Sequence, residues 1–160
     1  MEYKINKCNH NIKKFIKDII HQDFNIDYWD EWLDEQDYDC LQVSPNLLIS
    51  VEDGDNLIGI CAVKILNNKE SYLNSFYIRK EYRNKGIGNK IFNMCMEYIV
   101  ENGYEKITLC VDSRFEIAKK MYENRGFIFN YFDREKQELW YYKYINKKKN
   151  YLMKEKIKQI

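Results

Sequence analysis

The chain has 160 residues, of which 45% are hydrophobic and 32% are charged, and its formal net charge is +1. These values are ordinary for a soluble globular protein, and the length predicts one domain with its own core. The lack of an apolar run of about 18 residues argues against a membrane-spanning helix, and the first residues lack a signal peptide's apolar core, so we expect a cytoplasmic protein.

The first half of the chain predicts two helices followed by three strands. Apolar residues spaced three and four apart predict an amphipathic helix over residues 10–24 and a shorter one around Trp29 and Trp32. Pro45 ends this region. Three apolar segments separated by tight turns then predict strands over residues 47–52, 57–66 and 71–78.

The second half predicts a helix, a strand, a helix and a closing hairpin. A helix is expected over residues 86–102, with Gly103 as its C-terminal cap. Residues 106–111 are apolar on both faces, which is typical of a central strand. The remaining predicted elements are a helix over 115–124, strands over 127–132 and 138–145, and a basic tail over 147–160 that follows a single domain over 1–146.

The cysteines and histidines indicate neither a disulfide framework nor a metal site. The five cysteines are odd in number and form no Cys-x-x-Cys pair, and the chain has two histidines. We therefore expect reduced thiols that mostly fill core space, and no bound metal.

Charge is distributed unevenly. Residues 1–80 carry 9 basic and 14 acidic side chains, a balance of −5, whereas residues 81–160 carry 17 and 11, a balance of +6. The segment from Asp18 to Asp39 has nine carboxylates and no lysine or arginine. It is either a solvated face or a rim that attracts a cationic acceptor.

The segment from Arg83 to Gly88, with the sequence Arg-Asn-Lys-Gly-Ile-Gly, opens the third predicted helix. A helix N-terminus has unpaired N–H groups and a partial positive charge, so it favours phosphate, and glycine lets a ligand approach the backbone closely. The segment does not match a P-loop. It also lacks the third glycine of a dinucleotide fingerprint, since that position is Ile91.

The stretch from Leu73 to Phe92 closely resembles the strand–loop–helix signature of the GNAT N-acetyltransferase superfamily, Arg/Gln-x-x-Gly-x-Gly/Ala. A second signature of that family resembles Ala118, the pair Met121-Tyr122 and the pair Gly126-Phe127. The resemblance covers roughly residues 47–132. It implies an α/β (α+β) fold with a mixed, mostly antiparallel sheet and helices on both faces.

The resemblance implies acetyl-CoA as co-substrate. The family's pyrophosphate loop corresponds to Arg83, Asn84, Lys85, Gly86, Ile87, Gly88 and Asn89. The backbone of Phe76 and Ile78 would bind the pantetheine arm, which fills the place of a missing strand where strands 71–78 and 106–111 splay. Where many members carry asparagine, this chain has Phe115, and Ser113 is a substitute polar contact.

The implied reaction is direct attack of an amine on a thioester. The family places a tyrosine at the position of Tyr122, where it stabilises the departing thiolate. Full proton donation from a tyrosine to a thiolate runs uphill by about 1.5 pKa units, so a hydrogen bond is the better description. The base is left open between Glu52, Glu70, Asp112 and a water relay.

The acidic segment favours a primary amine on a small cationic molecule as the acceptor. Protein N-termini or lysines are an alternative, as is a non-catalytic acyl-CoA sensor. We expect no nucleic-acid partner, because no groove-reading module accompanies the lysine-rich tail, and no membrane partner. Family members are often dimers, so the resemblance also allows a homodimer.

Overall fold

The computed structural model describes residues 1–25 and 30–145. Its strands are β1 Glu2–Ile5, β2 Leu47–Asp53, β3 Asn56–Ile65, β4 Glu70–Ile78, β5 Lys106–Asp112, β6 Ile128–Asp133 and β7 Glu138–Tyr144. Its α-helices are α1 Ile12–Phe24, α2 Asp30–Glu35, α3 Ile87–Glu101 and α4 Glu116–Asn124, and 3-10 turns cover Asp39–Gln42 and Lys80–Tyr82. The predicted tail over 147–160 and the predicted helical position of Trp29 lie outside the described residues.

The strands form one sheet in the order β1-β2-β3-β4-β5-β7-β6. Strands β4 and β5 pair in parallel, starting at Glu70 and Lys106. Pairing is antiparallel between β1 and β2, β2 and β3, β5 and β7, and β6 and β7. The predicted mixed, mostly antiparallel sheet is confirmed. None of the described helices combines the length and apolar character needed to cross a bilayer.

The backbone divides into two compact units. The first comprises Met1–Ile65 and Leu73–Tyr98, and the second comprises Leu66–Tyr72 and the described chain from Ile99 onward. Strand β4 passes from the second unit into the first between Tyr72 and Leu73. The single domain over residues 1–146 stays a prediction.

The first unit is built around α1 and the hairpin of β2 and β3. Helix α1 begins where the Asn11 side chain accepts the Lys14 N–H at 3.0 Å, as an N-cap should. The predicted apolar face is buried, with no residue more than 4% exposed, and comprises Ile12, Phe15, Ile16, Ile19 and Ile20. Strand β1 was not expected from the sequence, because its four residues alternate too briefly to be recognised without their partner β2.

The two faces of β5 are buried to different degrees. Ile107 and Leu109 are fully buried, whereas the alternate residues Thr108 and Cys110 are partly exposed. The predicted central position of this strand is confirmed, since β5 lies between β4 and β7 in the sheet. Tyr141 of β7, which lies on the buried face, donates a hydrogen bond to Glu123 of α4 at 2.8 Å. Helix α4 thus contacts this face of the second unit.

Candidate functional site

The loop between β4 and α3 adopts a left-handed backbone at two positions. Asn84 has a φ of 61° and Gly86 a φ of 83°. Alternation of this kind turns successive N–H groups toward one side of the chain. A Cβ built on Gly86 meets nothing within 4 Å, so the glycine is required by its backbone angle and not by lack of space.

The second glycine of the loop plays a different part. Gly88 lies in the first turn of α3, and a Cβ there would be 3.5 Å from the Phe76 ring and 3.6 Å from Ile78. These are ordinary packing distances, so alanine fits this position. The start of α3 therefore rests on the two β4 residues that the sequence assigned to the pantetheine arm.

The start of α3 directs backbone donors out of the helix. The Lys90 N–H donates to the Gly86 carbonyl at 3.1 Å, so Ile87 and Gly88 precede that bond in the helical ladder. The first N–H groups of a helix have no partners within the helix and carry its partial positive charge. The arrangement suits an anionic oxygen placed beyond Gly86 and Gly88.

Arg83 is held by several bonds within the protein. Its backbone N–H donates to the Lys80 carbonyl at 3.2 Å. Its Nε donates to the Ile78 carbonyl at 2.9 Å, and a terminal guanidinium nitrogen is paired with Asp23 of α1. Arg83 thus fixes the start of the loop to β4 and to the end of α1. A ligand contact of Arg83 stays a prediction.

The other cations around the loop are held against aromatic rings. The Lys85 ammonium lies 5.5 Å from the centre of the Tyr82 ring, and the Lys90 ammonium 3.9 Å from that of Tyr3. Tyr82 in turn donates to Asp53 at 3.0 Å. Lys85 therefore adds positive charge beside the left-handed turn, whose side chains Asn84 and Asn89 are exposed.

In the second unit, the signature around Tyr122 forms the C-terminal end of helix α4. Gly126, with a φ of 86°, lets the chain reverse after α4, and the Phe127 N–H returns to the Tyr122 carbonyl at 3.1 Å. The two rings then meet edge to face with centroids 5.8 Å apart. Tyr122 is 6% exposed, and its ring position is fixed by this reversal.

The polar residues between β5 and α4 belong to the second unit as well. Ser113 is partly exposed, and its backbone N–H donates to the Gln137 carbonyl at 2.9 Å. Phe115 is the N-cap residue of α4 and makes no side-chain capping bond. Neither observation assigns a ligand contact to Ser113, which stays a prediction.

The three carboxylates proposed as bases differ in their surroundings. Glu52 is contacted by the Lys4 ammonium at 2.7 Å and by His10 Nε2 at 3.0 Å, so two nitrogen groups already engage its carboxylate. Asp112 is 1% exposed and receives two bonds from the Arg114 guanidinium. Burial raises the pKa of Asp112, while the Arg114 backbone N–H lowers it. Glu70 is partly exposed at the first position of β4.

The acidic N-terminal segment is less negative than its composition suggests. Asp18 pairs with Lys14 at 3.0 Å and Asp34 with Lys17 at 2.6 Å. Asp30 lies 2.8 Å from His21, and Asp23 binds Arg83. The compensating lysines precede the segment on the same helix α1, so a count over a linear window does not include them.

The sequence did not single out Asp23, because a partner 60 positions away leaves no local pattern. It also passed over Tyr38, a buried residue whose hydroxyl accepts a hydrogen bond from Ser75 of β4 at 3.3 Å. Within residues 1–25 and 30–145, no group of three His, Cys, Asp or Glu side chains is placed to hold a metal ion.

Comparison with known proteins assigns the chain to a family. Residues 13–127 match the Acetyltransferase (GNAT) family. A Bacillus subtilis relative named "Uncharacterized N-acetyltransferase YsnE" is 31% identical over 80 residues, which are 49% of this chain and 53% of the relative. This match therefore spans about half the length of the curated relative.

Solved structures show the same fold at low identity. A GNAT-family acetyltransferase from Staphylococcus aureus Mu50 has a TM-score of 0.73 at 24% identity, covering 91% of this chain and all of that one (100%). The PaiA N-acetyltransferase of Thermoplasma acidophilum, solved in complex with coenzyme A, has a TM-score of 0.72 at 18% identity, with coverage of 91% and 100%. With its family match over residues 13–127 and this shared fold, the chain belongs to the GNAT acetyltransferase family.

Proposed function

We propose that the protein transfers an acetyl group from acetyl-CoA to a primary amine. The single observation that carries the proposal is the turn at the start of α3. Asn84 and Gly86 are left-handed there, and the first donors of the helix follow them. Adjacent backbone N–H groups of this kind can bind the oxygens of a diphosphate without any contact from a side chain.

The loop residues divide the binding of coenzyme A between them. The N–H groups of Gly86, Ile87 and Gly88 would donate to the diphosphate oxygens, and Lys85 would add a full charge. Arg83 would act by holding the loop, through its bonds to Ile78 and Asp23. The β4 backbone at Phe76 and Ile78, whose side chains face Gly88, would pair with the pantetheine arm.

The reaction needs an unprotonated amine. An alkylammonium with a pKa of about 10.4 has no lone pair until it loses a proton to a carboxylate or to water. The nitrogen then attacks the thioester carbonyl carbon, the C–S bond breaks, and the sulfur leaves as the thiolate of coenzyme A. The amide product loses the second proton from nitrogen, and one proton finally resides on the thiol.

Tyr122 is proposed as the donor to the departing sulfur. Its ring is held by the Phe127 edge and by the backbone reversal at Gly126. A fixed hydroxyl stabilises the charge that develops on sulfur without reorganising during the reaction. A hydrogen bond meets this need, and complete proton transfer is not required.

A small cationic amine is the proposed acceptor class. The proposed test is a thiol-release assay with acetyl-CoA across a panel of small amines and of peptides with free N-termini or lysines. The exposed Cys40 reacts with thiol reagents, so a Cys40→Ser background keeps the baseline flat. We expect release that depends on a small amine. Thiol release with peptides alone would indicate a protein acetyltransferase. Tight binding of acetyl-CoA without thiol release would favour a non-catalytic sensor.

A further inference from the structure

One face of the second unit carries a stack of aromatic rings across three strands. Trp140 of β7 lies between Tyr72 of β4, at a centroid distance of 6.0 Å, and Tyr131 of β6, at 5.8 Å. The interplanar angles of 22° and 8° make both contacts stacked. Tyr131 is 48% exposed. Trp140 lies on the face of the sheet that includes Cys110 of β5. Leu109 and Tyr141, the residue that binds α4, lie on the other face.

A row of three carboxylates borders the stack. Asp112, Glu138 and Asp133 are direct cross-strand partners on β5, β7 and β6. Like charges placed opposite one another destabilise a sheet. Arg114 compensates Asp112. Among the described residues, neither Glu138 nor Asp133 has a lysine or arginine nitrogen within 4.0 Å. Glu138 and Asp133 therefore place negative charge at the edge of an apolar surface without a direct ion pair to a described lysine or arginine.

Glu138 joins the row to the stack. Glu138 and Trp140 are two positions apart on β7, so their side chains lie on the same face of the sheet. Burial raises the pKa of Glu138, and the neighbouring Asp133 and Asp112 raise it further, while Lys136 and Trp140 lower it. A partly desolvated carboxylate next to a flat ring gains more from a cation than a fully hydrated one does.

The same face already holds an ammonium group of the protein itself. Lys106 Nζ lies 5.7 Å from the centre of the Tyr142 ring and 5.5 Å from that of Tyr144. Lys106 is the cross-strand partner of Tyr144, and Thr108 that of Tyr142, so all three groups share the face of Trp140. The rings of this face therefore bind an alkylammonium where one is tethered nearby.

We propose that the aromatic face, defined as Tyr72, Tyr131, Glu138 and Trp140, binds the acceptor as an ammonium carried on a flat apolar body. The stacked rings select a planar group, and Glu138 selects a positive charge over a neutral or negative one. This inference rests on the proposed function, because only an acetyltransferase has an amine acceptor. The binding itself is measured without any acetyl transfer.

The test follows indole N–H signals in a protein labelled with ¹⁵N-tryptophan, which contains three tryptophans. Trp140→Phe assigns the signal of Trp140, and Trp32, a residue of the first unit that is 40% exposed, is the internal control. The probes are phenethylamine, neutral 2-phenylethanol and anionic phenylacetate. We expect a saturable shift of the Trp140 signal with phenethylamine, at least about fivefold tighter than with either other probe, and none for Trp32.

Glu138→Gln keeps the size and polarity of the side chain and removes its charge. It should weaken phenethylamine about fivefold or more and leave 2-phenylethanol unchanged. An unmoved Trp140 signal, or equal affinity for all three probes, overturns the proposal. The thiol-release assay is independent of this result. Ammonium-selective binding without acetyl transfer to any amine would contradict the proposed enzyme activity. Acetyl transfer with an amine KM that Glu138→Gln leaves unchanged would contradict the role of the aromatic face in binding the acceptor.

Discussion

The guanidinium of Arg83 and the carboxylate of Asp23 form an ion pair that joins the start of the glycine loop to the last turn of α1. The Asp23 side chain is 9% exposed, so this pair is shielded from solvent to a degree that most surface pairs are not. Because Arg83 also binds the Ile78 carbonyl, one side chain fixes the loop against two elements of the first unit.

Loosening this pair should weaken the binding of coenzyme A. In Arg83→Lys, the lysine cannot bind the Ile78 carbonyl and the Asp23 carboxylate with the geometry of a guanidinium. Asp23→Asn removes the negative charge of the pair. We expect each to raise the Kd for coenzyme A about three- to tenfold by calorimetry, with less than additive effects in the double variant. Asp34→Asn, which breaks the exposed pair with Lys17, is the control and should leave the Kd unchanged. Equal effects from all three would refute a specific role.

The two loop glycines should respond differently to alanine. Gly86→Ala forces a side chain into a left-handed backbone, at a cost of about 1–2 kcal/mol, which lowers Tm by roughly 3–6 °C and weakens coenzyme A about tenfold. Gly88→Ala meets ordinary contacts and gains helix propensity, so Tm should hold or rise. Thermal melts with and without coenzyme A compare the two variants. A lower Tm for Gly88→Ala than for Gly86→Ala would contradict the backbone roles assigned to the two glycines.

Removing the hydroxyl of Tyr122 should affect the chemical step. We expect Tyr122→Phe to lower kcat about 10- to 100-fold while the KM for acetyl-CoA changes by less than about threefold. Tyr141→Phe is the matched control, because it deletes a buried hydroxyl bonded to Glu123 of the same helix. It should cost about 1–2 kcal/mol of stability and leave kcat intact. A kcat for Tyr122→Phe equal to wild type would exclude Tyr122 as the donor to sulfur.

The carboxylate row should make the fold less stable at neutral pH than in mild acid. Burial and neighbouring carboxylates raise the pKa of Glu138, so the folded state binds its proton more tightly than the unfolded state does. The resulting penalty is present above the folded pKa and disappears as the pH falls below the ordinary value of 4.5.

Glu138→Gln removes this penalty. It should raise Tm by about 1–2 °C at pH 7, with the difference vanishing near pH 3.5. Glu135→Gln, an exposed residue of the adjoining turn, should change Tm at neither pH. A Glu138→Gln protein less stable than wild type at pH 7 would contradict the assigned charge repulsion.

The thiols should differ sharply in reactivity. Burial raises the pKa of Cys110 to about 11, against an ordinary value of 9.0, so only about one molecule in a thousand carries the thiolate at pH 8. Cys40 is exposed. Mass spectrometry after brief alkylation should find Cys40 modified first and Cys110 unmodified until the protein unfolds. Early modification of Cys110 in the folded protein would contradict the raised pKa of this half-buried thiol.

Local patterns predicted most of the elements because their physical cause is local. The apolar spacing of α1 and the glycine cap at Gly103 each lie within a few residues of the element they define. The signature from Arg83 to Gly88 likewise located the start of α3. Strand β1 escaped prediction because its identity depends on pairing with β2, more than 40 positions later.

What the sequence could not supply is pairing between distant side chains. Arg83 has the charge that suits phosphate, and only the fold shows that Asp23 and Ile78 engage it. The row formed by Asp112, Asp133 and Glu138 arises from strand register, which a linear pattern does not encode. Exposure of Thr108 and Cys110 has the same origin, since an apolar strand does not reveal which of its faces a helix covers.

Backbone amides at the start of α3 hold the diphosphate in the proposed complex, and glycine-selective ¹⁵N labelling measures this contact directly. The chain has six glycines, so the spectrum contains six glycine amide signals. On addition of coenzyme A, we predict large shifts for Gly86 and Gly88, assigned with the alanine variants, and small ones for Gly54 and Gly103. Pantetheine, which lacks the diphosphate, should leave the Gly86 signal in place. Saturating coenzyme A with both signals unmoved would contradict the account.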